Sequence, residues 1–106
     1  MSKNLLICDL LELYGKLLTE KQSRLLEIYY FDDLSLSEIA ENEGGSRQGA
    51  MDVIKRAEKE LIKIEDTLGL YSRNNLQTKI IDELKSVLDT DTEKAKALVL
   101  ELEKTI

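Results

Sequence analysis

The feature that most constrains the fold of this chain is a pair of glycines, Gly44 and Gly45, between two segments of helical periodicity. Before the pair, Ser35 and Glu38 form the S-x-x-E pattern of a helix capping box. After it, Ser46 is a favoured N-cap residue. The apolar positions that follow at helical spacing are Ala50, Val53, Ile54, Ala57, Leu61, Ile64 and Leu68. Because glycine adopts the backbone conformation that ends a helix, this stretch predicts a helix-turn-helix with a long second, recognition helix.

Two more helices are predicted ahead of this motif. The chain has no proline, and few stretches alternate with the period of two that indicates strands. The first helix, over residues 4–18, would bury Leu6, Leu10, Leu13, Tyr14 and Leu17. The second, over residues 20–31, follows a T-x-x-Q capping box and would bury Leu25, Ile28 and Tyr29, with Leu26 at its margin. The sequence therefore predicts an all-α bundle around the helix-turn-helix.

The last third of the chain predicts a helical hairpin. Gly69 is expected to end the long helix, and the polar run at residues 72–75 predicts a break. Thr90 and Glu93 form a third capping-box pattern, which predicts where the last helix begins. The two apolar stripes are Leu76, Ile80, Ile81, Leu84, Val87 and Leu88, then Leu98, Val99, Leu102 and Ile106.

These two stripes also predict how the chain is organised. Two short amphipathic helices cannot bury both of their apolar faces against each other alone. The hairpin, residues 73–106, is therefore expected to pack on the helix-turn-helix domain, residues 1–72, or on a second copy of the chain. A homodimer follows as a hypothesis.

Composition argues against several classes of function. The chain has no histidine and a single cysteine, Cys8, so the commonest general base is missing and no internal disulfide can form. The apolar neighbours of Cys8 predict that it is buried. No glycine-rich phosphate loop or nucleophile elbow occurs. We therefore expect a non-enzymatic protein without a metal or another cofactor.

The same inventory bears on location. No apolar run reaches the roughly 18 residues of a membrane span, and the N-terminal segment carries acids that a signal peptide would avoid. The expectation is a cytoplasmic protein that does not insert into membranes.

Charge points to a local nucleic-acid interface. The net charge is −6, from 15 basic and 21 acidic residues, which disfavours generic coating of nucleic acid. Between residues 46 and 63, however, the sequence contains five basic residues and only three acidic ones. In such a helix Arg47 can pair with guanine and Gln48 with adenine, while other residues bind phosphates. The candidate nucleic-acid-binding residues are Ser46, Arg47, Gln48, Met51, Asp52, Lys55, Arg56 and Lys59.

An alternative interpretation needs no nucleic acid. In it, Arg47 and Lys55 are solvated and Asp52 pairs with Arg56 at i, i+4. The helix-turn-helix is then a scaffold, and the leucine stripes dock a protein partner. RNA could also be bound, through phosphates and shape. The acids Glu41, Glu43, Asp52 and Glu58 are expected to form a solvated face.

The aromatic cluster Tyr29, Tyr30 and Phe31 also has two interpretations. Aromatic faces can stack single-stranded bases. The spacing is helical, however, and no basic residues flank the cluster. Packing between the second helix and the helix-turn-helix is therefore the favoured interpretation.

Six short segments carry a resemblance to a known family. They are LTEKQ (residues 18–22), the YY-then-acidic step (29–33), SLSEIAE (35–41), SRQ (46–48), IKR (54–56) and LGLY (68–71). Together they closely resemble the YlxM family of small bacterial proteins, and their core resembles region 4 of sigma-70-type factors. The resemblance implies a non-enzymatic protein with a DNA-binding fold like that of sigma-70 region 4. It also implies that the protein acts in the signal recognition particle pathway. Its implied partners are DNA, the particle's RNA and the particle's proteins.

Three positions depart from the family pattern. Members usually have an aromatic residue at the position of Glu43, an aliphatic one at Gly45 and alanine at Gly49. Losing an apolar residue at the turn removes packing between its two helices and costs roughly 2–5 kcal/mol if the site cannot collapse. We expect the fold to survive on its other apolar stripes and DNA affinity to be the property at risk.

Overall fold

The computed structural model describes residues 4–106, and within them the chain is all-α. A 3₁₀ turn, Gly15–Leu17, follows the first of six helices. The helices are α1 (Leu5–Tyr14), α2 (Glu20–Tyr30), α3 (Leu36–Glu43), α4 (Arg47–Leu68), α5 (Leu70–Val87) and α6 (Thr92–Glu103). No strand occurs in this part of the chain. The predicted fold class is confirmed.

Helix α4 is the central element of a first compact unit, which ends at Leu68. Helices α1, α2 and α3 all pack on it, and α1 and α3 also contact α2. The buried apolar side chains of this unit are Ile7, Leu10, Leu11, Tyr14, Leu18, Leu25, Leu26, Ile39, Ala40, Ala50, Ile54, Ala57 and Leu61. The stripe predicted for the recognition helix is confirmed over its first half, whereas Leu68 is exposed.

The predicted buried face of α1 is partly wrong. Ile7 and Leu11 are buried, whereas Leu6, Leu13 and Leu17 are exposed. Six of the ten residues of α1 are Leu or Ile, so periodicity alone leaves the choice of face open. The helix also ends earlier than predicted, because the chain changes to the 3₁₀ turn after Tyr14.

Four further side chains depart from their predicted burial. Leu26 of α2, expected at the margin, is fully buried, whereas Ile28 and Tyr29 are half-buried. Cys8 is half-buried where burial was expected. In both helices, the residues that cover a side chain belong to helices distant in sequence. The spacing of apolar residues within one helix therefore does not predict which side chains they cover.

Both capping boxes of the first unit are confirmed. The hydroxyl of Thr19 accepts a hydrogen bond from the backbone N–H of Gln22 at 3.2 Å. In return, the side-chain oxygen of Gln22 accepts one from the backbone N–H of Thr19 at 3.2 Å. Ser35 and Glu38 make the same exchange at 3.2 and 3.1 Å. These hydrogen bonds hold the pKa of the Glu38 carboxyl below its usual value, since they favour the charged form. Both helix starts are thus fixed locally.

The second compact unit, Gly69–Ile106, is a hairpin of α5 and α6. The predicted break at residues 72–75 is wrong, because α5 begins directly after Gly69 and runs through the polar segment. Ser and Asn weaken a helix by only a few tenths of a kcal/mol each, so flanking turns can carry them. The predicted cap of the last helix is also wrong. Asp91, not Thr90, caps α6 by accepting from the Lys94 amide at 3.0 Å.

This hairpin has a small core. Ile80, Ala95 and Leu98 are its buried apolar side chains. Several residues of the predicted stripes are exposed instead, namely Leu76, Ile81, Leu88, Val99 and Ile106. Within the hairpin itself, each helix can cover only one side of the other's apolar face.

Candidate nucleic-acid interface

The turn of the helix-turn-helix has the geometry that the glycine pair predicts. Gly44 has φ of 77° and donates its N–H to the Ala40 carbonyl, which ends α3. The Gly45 N–H donates to the same carbonyl at 3.1 Å. Ser46 then caps α4, because its hydroxyl accepts from the Gly49 amide at 2.9 Å. The chain therefore enters the recognition helix at Arg47 with a defined direction.

The candidate residues lie along the N-terminal half of α4 and its cap. Ser46, Arg47, Gln48, Asp52, Lys55, Arg56 and Lys59 are exposed, and Met51 is half-buried. With 100° per residue, Gln48, Asp52, Lys55 and Lys59 share one stripe, opposite the buried stripe that begins with Ala50. Met51 lies beside this stripe, whereas Arg47 and Arg56 lie on opposite flanks, about 110° and about 70° from its centre. The candidate residues are therefore accessible but are spread over about half of the helix circumference.

One hydrogen bond within this surface was not anticipated. The Gln48 amide nitrogen donates to the Asp52 carboxylate at 2.9 Å. Asp52 is thus bonded to Gln48, four positions before it. The alternative interpretation predicted a pair with Arg56, four positions after it. Gln48 must release this bond before both of its amide atoms can read an adenine.

Two tyrosines fix α4 against the rest of the first unit. The Tyr14 hydroxyl donates to Glu65 at 2.6 Å, and the Tyr30 hydroxyl donates to Glu58 at 2.5 Å. Burial, the hydrogen bond to Glu58 and the charge of that carboxylate all raise the pKa of Tyr30, so it stays a donor at neutral pH. These contacts hold α4 at two points beyond its turn.

The two hydrogen bonds change the interpretation of several residues. Packing of the aromatic cluster is confirmed for Tyr30, which also meets Tyr29 edge-to-face at 5.1 Å between ring centroids, while Phe31 is exposed. Glu58, expected on a solvated face, is the acceptor for Tyr30. Sequence reasoning missed both glutamates, because their partners lie 28 and 51 residues away and no local spacing links them.

The departures from the family pattern have visible consequences at the turn. Glu43 is exposed, as expected, and forms an ion pair with Arg24 of α2 at 2.7 Å. The Arg24 guanidinium holds the pKa of the Glu43 carboxyl below its usual value. Beside Gly45 and Gly49 lies a cavity of about 130 Å³, whose apolar lining includes Leu25 and Val53. An ion pair and a cavity thus occupy the place of the missing apolar side chains.

The described residues contain neither a candidate metal site nor a candidate membrane span. Within residues 4–106, no group of three or more Cys, Asp or Glu side chains is arranged to hold a metal ion. No helix in this part of the chain is long and apolar enough to cross a membrane.

Comparison with known proteins decides the family. Residues 1–100 match the UPF0122 family model, described as "Putative helix-turn-helix protein, YlxM / p13 like". The chain belongs to this family. The resemblance to the YlxM family drawn from the six sequence segments is confirmed, and so is the helix-turn-helix.

Three relatives illustrate how similar members are. A UPF0122 protein of Desulforamulus reducens is 46% identical over 76 residues, which cover 72% of this chain and 65% of the relative. The UPF0122 protein STH1464 of Symbiobacterium thermophilum is 41% identical, with 78% of each chain covered. The UPF0122 protein YofM of Lactococcus lactis is 45% identical over 77% of this chain and 74% of its own. The match thus spans just under two thirds of the first relative's length.

Proposed function

We propose that this chain is a non-enzymatic, DNA-binding regulatory protein, and that the N-terminal half of α4 enters the major groove. The observation that supports this most is the exposed stripe formed by Gln48, Lys55 and Lys59 on the side of α4 away from its core. Residues at the start of such a helix reach base edges in known helix-turn-helix complexes.

The way α4 is held supports the same function. Reading base edges needs side chains that are placed within a fraction of an ångström, which rigid elements achieve better than loops. The Ser46 cap fixes one end of the exposed stripe, and the hydrogen bond from Tyr30 to Glu58 fixes the helix near its other end. The polar side chains are therefore displayed on a supported helix.

The charge distribution sets the expected mode of binding. Because the whole chain carries −6, phosphates are attracted only by the local basic residues, and Asp52 opposes them. If Lys55, Arg56 and Lys59 each neutralise one phosphate while Arg47 contacts a base, log K falls with log salt concentration with a slope of about −2.7. We propose local, sequence-reading contact with DNA in preference to coating.

Fluorescence anisotropy tests this function. The full chain is titrated against labelled genomic DNA fragments and against the signal recognition particle RNA, at low and at physiological salt. Preferential binding of the DNA that persists at physiological salt is the expected result. Absence of DNA binding even at low salt would contradict the proposal. Preference for the RNA would instead favour direct action on the particle, the pathway that the family resemblance supports.

A second candidate function is a protein-interaction module, for which the hairpin provides the observation. Leu88, Val99 and Leu100 are 58%, 42% and 61% exposed, and they line one apolar groove between α5 and α6. Such faces typically dock another helix. Its occupants would be a second copy of this chain or a protein of the signal recognition particle.

Self-association through this groove would make the chain a homodimer. Light scattering coupled to size exclusion measures it directly. A homodimer would have twice the 12.1 kDa of the chain, and Leu100→Glu should return it to the monomer mass by placing a charge in the groove. A wild-type monomer at all concentrations would contradict self-association.

A further inference from the structure

An apolar notch lies beside the residues proposed to read bases. It is a depression of about 420 Å³ lined by Leu36, Arg47, Gln48 and Met51. Leu36 is the first residue of α3 and Arg47 the first residue of α4. Both helices of the motif therefore contribute to the notch, at the end that faces DNA in a helix-turn-helix complex.

The notch combines apolar and polar side chains in one place. Leu36 and Met51 are half-buried, so each presents apolar surface to solvent, whereas Arg47 and Gln48 are exposed. A phosphate gives no favourable contact to apolar surface. The apolar group that the major groove presents is the 5-methyl group of thymine.

We propose that the notch formed by Leu36 and Met51 receives a thymine methyl group, so that the protein selects thymine and discriminates DNA from RNA at this position. This inference rests on the proposed DNA-binding function and deepens it. Uracil lacks the methyl group, and the deep, narrow major groove of A-form RNA excludes side chains. Both properties of RNA count against its binding in the notch.

The spacing along α4 limits where this thymine lies. Arg47 and Met51 are four residues apart, about 6 Å along the helix axis. Successive base pairs are about 3.4 Å apart. If Arg47 pairs with a guanine, the thymine lies within about two base pairs of it. The expected site therefore contains a guanine with a thymine within about two base pairs of it.

Replacement of thymine by deoxyuridine tests the notch without changing the protein. Duplexes that bind the full chain are first selected from a random 20-base-pair library and sequenced. In the strongest binder, each thymine is then replaced singly by deoxyuridine, and affinity is measured by anisotropy at physiological salt. One or two positions near a guanine should lose about fourfold in affinity, the value of one buried methyl-sized group. Other thymines should not change.

A pair of variants locates the effect on this chain. Met51→Ala should bind thymine and deoxyuridine duplexes equally, because the methyl group loses its contact. Met51→Leu should keep the difference, because it keeps the apolar surface. Circular dichroism and thermal unfolding check that both variants fold, and since the base replacement leaves the wild-type chain intact, the test does not depend on them.

Two results would overturn the inference, and they differ. Sequence-selective binding with no thymine sensitive to deoxyuridine would mean that Leu36 and Met51 only pack α3 on α4, while the proposed function stands. No duplex enriched and none bound would overturn the proposed function itself and this inference with it.

Discussion

The two compact units of this chain are stabilised in different ways. Of the sixteen buried apolar side chains among the described residues, thirteen lie in the first unit and three in the hairpin. The first unit also has polar links between distant helices, such as Tyr14 to Glu65 and Arg24 to Glu43. In the hairpin, Gln77 donates a hydrogen bond to Thr105 at 2.9 Å.

This difference indicates that the two units have different roles. A unit whose core is closed by its own helices can hold a reading surface in fixed geometry, which suits the proposed role of α4. A hairpin that leaves Leu88 and Leu100 in water retains apolar area, which contributes free energy only when something covers it. The predictions below test this contrast, from the largest expected effect to the smallest.

A matched pair of leucines gives the largest effect. Leu26 is 0% exposed in the first unit and Leu100 is 61% exposed in the hairpin. Leu26→Ala should lower the free energy of unfolding by roughly 2–5 kcal/mol, because it leaves a cavity in a closed core. Leu100→Ala should change it by no more than about 0.5 kcal/mol. Urea unfolding monitored by circular dichroism measures both.

Equal losses in the two leucine variants would break the comparison. They would mean that Leu100 is buried in solution, which a repeat at several protein concentrations would attribute to a second copy of the chain.

Much of the fold could be predicted from the sequence. The helices, the turn at Gly44 and the capping boxes at Thr19 and Ser35 are local signals, and each is confirmed. The face of α1 could not be predicted, because apolar residues surround most of that helix. The break at residues 72–75 was inferred from weak propensities that neighbouring turns override.

The candidate site was predictable to a similar extent. Position along α4 and exposure follow from helical period, and seven of the eight residues are exposed, with Met51 half-buried. The hydrogen bond of Gln48 to Asp52 and the acceptor role of Glu58 depend on rotamers and on helices that meet only in the fold. Leu36 was not assigned to the site, because its approach to Met51 needs both helices in place.

Alanine substitutions at the two glycines of the turn should change the stability by intermediate amounts and in opposite directions. Gly44 has φ of 77°, whereas Gly45 lies outside the left-handed region and a Cβ there would meet no atom within 4 Å. Gly44→Ala should destabilise the first unit by about 1–2 kcal/mol, since a side chain strains this conformation. Gly45→Ala should stabilise it by about 0.4–1 kcal/mol by restricting the unfolded chain. Thermal unfolding of the two variants in parallel checks this prediction, and a common sign would contradict the turn geometry.

The ion pair at the turn gives the smallest effect, visible as a pH dependence. Arg24 lowers the folded-state pKa of Glu43 below its usual 4.5. The stability that this pair adds is therefore present above pH 4.5 and is lost as the pH falls through the folded-state value. Unfolding of wild type and Glu43→Gln should differ at pH 7 and converge in acid. A difference that is constant over this range would show that the pair does not contribute.

The measurement that tests the central account most directly compares two double variants in DNA binding. Arg47→Ala with Lys55→Ala removes two exposed positive charges from α4, and Arg73→Ala with Lys79→Ala removes two from α5. Against the selected duplex, the α4 variant should lose at least about tenfold in affinity, because it loses a base contact and a phosphate contact. The α5 variant should stay within about twofold of wild type. Equal losses would show that total charge alone drives binding, and an α4 variant that binds like wild type would contradict the account.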